Sequence, residues 1–360
     1  MRCLIVSCLI AAVACSHTPT VHAPPSGPSP VLAILDRFTA PDVPARGPAE
    51  SEPPERKWPD PVESPPWPGQ GMAQHPMLYA GEGYNTIFLV NEGKILWTYS
   101  PGPGGEIDDV WLLSNGHVLF ARQRSVVEVT PRKDVVWSYD APTGTEIHTC
   151  QPVGLDRVML VQNGLPPRLM IINKTTRAVE VDHALPAVSL TDPRTVHPQF
   201  RRARVTADGT YLAAFLKLNK VVEYDARFNP VWSYDIRTPW AAIRLHNGNT
   251  LIADEHDKLV REVNRKGETV WEVGQADLPP SIVLHNIQTA DRLANGNTVI
   301  FSSTGGTKRE ERPSIVQIVE VSPDKKVVWV LQDWKHLGPA TTAQFLDQPG
   351  LPERPGDLQH

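Results

Sequence analysis

The sequence predicts an all-β fold: a six-bladed β-propeller of four-stranded antiparallel blades, its ring closed by the C-terminal strand joining the first blade. Three observations predict it. A glutamate stands nine positions before a tryptophan at Glu128 and Trp137, Glu223 and Trp232, Glu262 and Trp271, and Glu320 and Trp329. Turn dipeptides punctuate the same stretch at Asn115-Gly116, Asp208-Gly209, Asn247-Gly248 and Asn295-Gly296. With 36 prolines and 24 glycines in 360 residues, the chain needs many turns and cannot be mainly helical.

Each glutamate–tryptophan pair lies in a β-hairpin. In SVVEVTPRKDVVWSY, alternating β-branched residues give a strand, a polar turn reverses the chain, and a second strand ends near the Trp. TIFLVNEGKILWTY, around Trp97, is a fifth copy with Phe88 in the glutamate position, and RLMIINKTTRAVEVD is a sixth with Val181 replacing Trp. The Asn-Gly and Asp-Gly turns join two further strands per repeat, as in VWLLSNGHVLFA, because these dipeptides tolerate the positive φ of a tight turn. Such four-strand units, recurring roughly every 40 to 60 residues, are the blades of a propeller, each burying its faces on its neighbours. The first blade has only three strands, MLYAG, TIFLVN and KILWTY; TTAQFLD at 341–347 supplies the fourth and removes two open edges. The Trp column is expected to pack between blades, and the Glu column to sit on a blade surface or in a turn network.

Outside the propeller, at 77–347, three segments remain. Residues 1–15 have one charge, Arg2, and then an apolar run too short to span about 30 Å of hydrocarbon, so they read as a secretory signal. Ala12, Val13 and Ala14 before Cys15 resemble a bacterial lipobox, with Ala12 where leucine is usual. That resemblance implies lipidation at Cys15, export, and, with Ser16 instead of aspartate, placement in the bacterial outer membrane on its periplasmic side or the cell surface. Between Ser16 and Pro76 there are 16 prolines, a composition that favours extended backbone and predicts a disordered tether over 16–76. Val31 to Phe38 is its one apolar patch, which could form a short helical turn or be a docking segment but is too brief for a domain, and reads as linker. Residues 348–360 are expected to be a C-terminal tail.

Charge and cysteine usage exclude several functions. With 35 Lys and Arg against 40 Asp and Glu, the net charge of −5 gives no cationic field for nucleic acid. Cys3, Cys8 and Cys15 lie in the signal segment and only Cys150 is in the body, so no disulfide framework is available. No linear zinc motif is present, and neither a metal nor a cofactor is expected.

The repeats NGNTLI, VVE-x-D and G-x-x-VW resemble PQQ-like and arylsulfotransferase-like propellers, with LHNGNTLI at 245–252 and LANGNTVI at 293–300 closest. The resemblance implies two functional classes. One is a non-catalytic, membrane-tethered scaffold, a monomer that binds a protein, peptide or glycan of the envelope. The other is an enzyme with its site at the central channel: a sulfotransferase with His285 as nucleophile and Arg201, Arg202 and Arg204 for the anion, or a quinone and calcium enzyme. The quinoprotein version lacks its usual adjacent cysteines.

Channel residues are sought by counting back from the turn glycines. Eight before lie Asp108, Glu146, Arg201, Trp240 and Gln288; six before lie Val110, His148, Ala203, Ala242 and Ala290. Period-two alternation puts both columns on one side, with the alanines at a crowded axis and the polar residues, joined by Glu106, His197, Arg202 and His285, at the channel mouth.

The N-terminal reading is tested by mass spectrometry of the mature protein, which should begin at an acylated Cys15, and Cys15→Ser should release it from membranes. An unmodified N-terminus elsewhere sinks it.

Overall fold

The computed structural model describes residues 20–360 apart from 48–49, 52–64, 82–83, 103–104, 306 and 309, so Cys15 and the signal segment lie outside the described residues. Six four-stranded antiparallel sheets form the ring. Blade 1 combines Thr342–Phe345 with Met77–Ala80, Ile87–Asn91 and Lys94–Tyr99. Blade 2 runs from Ile107 to Asp140, blade 3 from Glu146 to Ala184 and blade 4 from Ala203 to Asp235. Blade 5 runs from Pro239 to Gly274, and blade 6 from Asn286 to Leu331. Closure is as the sequence predicts: Thr342–Phe345 pairs antiparallel with Met77–Ala80, and Met77 faces Phe345. Among the described residues no helix is long and apolar enough to cross a membrane.

The Asn-Gly hairpins need one left-handed residue, not two. Gly116 N–H donates to Leu113 O at 2.8 Å and Leu113 N–H to His117 O at 2.9 Å, which is a type I turn followed by a glycine bulge. Gly116 takes φ 89°, while Asn115 stays out of the left-handed region and its Oδ1 accepts the His117 N–H. Because the turn is fixed, so is the register of the strands it joins.

Six apolar cores lie between consecutive blades and complete the circle. Leu78 and Leu89 meet Val110 and Phe120 between blades 1 and 2; Trp111 and Leu119 meet Cys150 and Leu160 between blades 2 and 3. The series continues through the next three boundaries and closes where Phe301 and Trp329 of blade 6 meet Tyr79 and Phe345 of blade 1. Burial of this apolar surface is the main drive for folding.

The glutamate and tryptophan columns lock these boundaries. Each Glu faces its Trp directly across the two outer strands, as Glu223 faces Trp232 and Glu262 faces Trp271. Glu223 then accepts from Arg244 of blade 5 at 2.7 Å, and Glu262 from Arg292 of blade 6 at 2.7 Å. The same two guanidinium groups stand 5.1 Å over Trp232 and 5.3 Å over Trp271. The Trp232 indole N–H donates to Arg265 O and that of Trp271 to Pro323 O, again on the following blade. Each carboxylate, cation and ring therefore bridges two blades.

The N-terminal segment completes the pattern where the repeat fails. In blade 1 the residue facing Trp97 is Leu89, not Phe88 as the nine-residue spacing predicts, because its turn is shorter; neither is a carboxylate, and Glu50 supplies one, pairing at 2.9 Å with Lys133, whose ammonium is 5.8 Å from the Trp97 ring centre. Residues 20–47 therefore do not stand off as the expected spacer. Val31, Ile34, Leu35 and Phe38 follow helical spacing, and the 3-10 helix Leu32–Phe38 buries them against blades 1 and 2, with Phe38 edge-on to Trp97 at 5.4 Å. The open outer face of blade 1 gave this apolar stripe a surface to cover.

Residue His75, at the end of the same segment, joins blade 6 to blade 1. Its Nε2 is 3.0 Å from Glu320 and its Nδ1 2.7 Å from Asp347. Burial lowers the pKa, but the two carboxylates outweigh it and raise it to about 9. In the unfolded chain this imidazole titrates near 6.5, so its contribution is complete below about pH 6.5 and is lost as pH rises through about 9. Thermal stability should therefore fall across that window, and His75→Gln should flatten the profile there while lowering Tm at pH 7. An unchanged slope in the variant refutes the assignment.

Candidate functional site

The innermost strands begin at one face of the ring, here the upper face, and run to the glycine turns at the lower face. Near their beginnings three carry a bulge: at Asp108 in blade 2, Trp240 in blade 5 and Gln288 in blade 6. A bulge inserts one residue and reverses the alternation beyond it. The columns eight and six before the glycine therefore do not share a face. Val110, Ala203, Ala242 and Ala290 enter the cores between blades instead of the axis. The residues seven and five before the glycine, Asp109, Arg202, Arg204, Thr289 and Asp291, meet at the axis. Blade 3 departs further, because two residues, His148 and Thr149, lie between paired positions. His148, not Glu146, is then the partner of Asp108.

Blades 2, 4 and 6 alternate around the ring, so contacts among them can form only at its centre. Arg204 of blade 4 is bidentate to Asp109 of blade 2, at 2.7 and 2.9 Å. Arg202 of blade 4 donates to Thr289 of blade 6 at 2.9 Å and to the Asp108 carbonyl of blade 2. From below, His360 reaches Asp291 of blade 6 at 3.1 Å, its carbonyl accepts from Arg204 Nε at 2.9 Å, and its ring stands edge-on to Trp111. These groups are buried. Burial raises the Asp109 pKa, but the charges of Arg204 and Arg202 dominate and hold it below the usual carboxylate range. The axis is sealed by ion pairs and is not an open channel.

Residues 348–360, expected as a tail, cover the lower face. Glu353 O accepts from Gly154 N, Gly356 O is 2.8 Å from His246 Nε2, and Gln359 pairs with the Arg292 backbone. Residue His22 lies beside them, bonded to Asp208 and His246. Between these segments and the blades is a cavity of about 360 Å³, lined by Val21, Pro25, Leu245, Leu293, Phe345 and Leu358 among others. Sequence reasoning gave no signal for it, since neither segment carries a repeat.

The upper mouth holds a contact chain through blades 2 to 5. Asp108 Oδ2 is 2.8 Å from His148 Nδ1, and Glu106 is 3.7 Å from the same nitrogen. Glu146 accepts from His148 Nε2 and from His197 Nδ1, both at 2.9 Å. Arg201 Nη2 stands 3.2 Å from His197 Nε2, and its guanidinium lies 4.6 Å over Trp240. Burial and the Arg201 charge push His148 down, yet its carboxylate partners outweigh them and raise its pKa; burial pushes Glu146 up, yet its two imidazoles hold it far below the carboxylate range. The chain thus joins Glu106, Asp108, Glu146, His148, Arg201 and Trp240 of the residues singled out in the sequence. Arg202 lies deeper, in the axis, and Gln288 is buried at its bulge beside Thr289.

His285 stands apart from that chain. Its backbone N–H donates to Ser302 Oγ, its Nδ1 is buried without a hydrogen bond, and burial together with the Lys258 charge lowers its pKa. The arginines assigned to an anion in the sulfotransferase reading are committed elsewhere, to Asp109, Thr289 and Trp240. Cys150 is a free thiol in the core between blades 2 and 3, its pKa raised by burial.

No family model and no curated protein matches the chain. Among solved structures, it is similar to a protein of unknown function from Bacteroides caccae, with 24% identity, 74% of this chain and 97% of that one covered, and a TM-score of 0.66. It is also similar to a catalytically inactive variant of virginiamycin B lyase from Staphylococcus aureus with quinupristin, at 11% identity, 76% and 91% coverage and a TM-score of 0.51. These likenesses support a propeller-repeat fold and carry no activity across.

The sealed axis makes a specific demand on stability. Asp109→Ala leaves Arg204 buried without its partner and should cost about 3–5 kcal/mol in chemical denaturation, whereas Asp109→Leu combined with Arg204→Met should recover most of that loss. A single variant that loses less than about 1 kcal/mol would show the pair to be solvated.

Proposed function

We propose that this chain is a non-catalytic binding module of the bacterial cell envelope, held on the outer membrane through a lipid on Cys15. It recognises a polar segment of a protein, peptide or glycan at its upper mouth. The observation that carries this reading is the continuous chain of carboxylates, imidazoles, guanidinium and indole across blades 2 to 5, set above a sealed axis. A cluster of charged side chains suits a partner that brings charges and hydroxyls to it, and such contacts give specificity and fast association.

The course of the N-terminal segment supports the same face. Cys15 is five residues before Thr20, and so at most about 18 Å from it. Residues 21–25 lie at the lower face, beside His246 and Asp208. A lipid on Cys15 would hold the lower face toward the bilayer and leave the upper mouth directed away from it.

The enzyme reading retains one observation: an imidazole at His285 whose pKa burial and the Lys258 charge lower. Both readings are tested together. Capture of an envelope partner should fall severalfold in Glu146→Lys and in Arg201→Glu, less so at high salt, and should be unchanged in Arg168→Glu, a surface pair with Asp182 on blade 3. Equal capture by all three variants refutes the mouth as the recognition surface. Turnover of an aryl sulfate that vanishes in His285→Ala overturns the non-catalytic assignment.

A further inference from the structure

We propose that Glu106, Asp108, His148 and His197 form a binding site for a divalent transition-metal ion, with Zn²⁺ the best match to its donors. No linear motif announces it: the four residues come from blades 2 and 3 and the turn before blade 4, and only the ring brings them together. One ligand atom each from Glu106, His148 and His197 lies within 4.8 Å of the others, and a tetrahedral ion at about 2.0–2.2 Å from each donor would draw them to about 3.3–3.6 Å apart.

A second observation points the same way. Asp108 is buried with its Oδ2 on His148 and its Oδ1 without any hydrogen bond, an uncompensated acceptor at the edge of the cluster. Such an atom is costly in a folded protein unless a cation or water meets it. Glu146 has the place of an outer ligand. It accepts from Nε2 of His148 and Nδ1 of His197, in the manner of carboxylates behind metal-bound histidines, and leaves Nε2 of His197 to an ion once the Arg201 guanidinium, 3.2 Å from it, turns aside. His148 Nδ1, the nitrogen turned toward Glu106 and Asp108, is then the one directed at the ion.

The charges agree. Three carboxylates, those of Glu106, Asp108 and Glu146, stand against the one guanidinium of Arg201, so the cluster has anionic donors to spare for a cation. Two imidazoles with carboxylate oxygen select a borderline ion such as Zn²⁺ over Mg²⁺ or Ca²⁺, which take oxygen shells. Glu106 and His197 are part-exposed, so the ion is reached from the upper face.

The test uses the untagged full chain, independent of any partner. Equilibrium dialysis against ZnCl₂ should leave one Zn²⁺ per chain and raise Tm, and Co²⁺ in its place should give a visible absorption band of bound imidazole and carboxylate. His197→Ala and Glu106→Gln, neither of them deeply buried, should each weaken Zn²⁺ binding by about 100-fold or more and abolish the rise in Tm, while His256→Ala, an exposed histidine of blade 5, changes nothing. Absence of retained Zn²⁺ in the wild type overturns the site, as does equal Zn²⁺ binding by the His197 and Glu106 variants.

Discussion

The contact on which the ring depends is the buried glutamate opposite tryptophan, closed by a cation from the next blade. Apolar burial supplies most of the stability, but it is indifferent to the angle at which two sheets meet. A carboxylate that must be met by one guanidinium, which must also lie over one ring, is not indifferent. Glu223 is fully buried and has Arg244, Arg265 and Thr210 on it, so a small rotation of blade 5 would strand a charge away from water. Breaking such a pair costs far more than forming it contributes, which makes it a device of geometry more than of net stability. The boundary between blades 3 and 4 illustrates the alternative. With Val181 in the Trp position, His183 of blade 3 stacks on Phe228 of blade 4 at 3.8 Å, and an aromatic contact replaces the ionic one.

A second constraint follows from the odd column of the innermost strands. Placing Arg202 and Arg204 on one blade obliges blades 2 and 6 to answer with acceptors, and Asp109 and Thr289 do so across the axis, while Asp291 takes His360. A polar centre would normally fill with water. Here bidentate geometry, a cation over Trp111 at 5.2 Å and the His360 ring fill it with protein. The two faces of the ring are therefore separate environments. The charged cluster belongs to the upper one, and the apolar cavity to the lower.

The blade number, the strand order and the closing strand were legible in the sequence because each rests on local chemistry: alternation, a glycine bulge and a repeated Glu–Trp spacing. The site was legible only in part. Asp108, Glu146, His148, Arg201 and Trp240 were within reach of a count from the turn glycines, since the strands are short and the turns fixed. The same count misplaced the alanines and passed over Asp109, because a bulge leaves no mark in a pattern of polar and apolar letters. Glu50 and His75 were hidden for another reason. They act inside repeats to which they do not belong, and a search for periodicity discards what is not periodic.

That borrowing explains how the segments outside the repeats relate to the fold. Glu50 and His75 give blade 1 its missing carboxylate and blade 6 its cation, and residues 342–360 give blade 1 its inner strand and the axis its histidine. Both ends make contacts between parts of the chain more than 200 residues apart, at His75 with Glu320 and at Met77 with Phe345. Long-range contacts cost loop-closure entropy before they return any stability. The five blades made wholly of consecutive strands, 2 to 6, can form from local pairings. Blade 1 and the sealed axis cannot, so a ring of this design is complete only when its last segment is in place, and the upper mouth gains its rigid base at the same step.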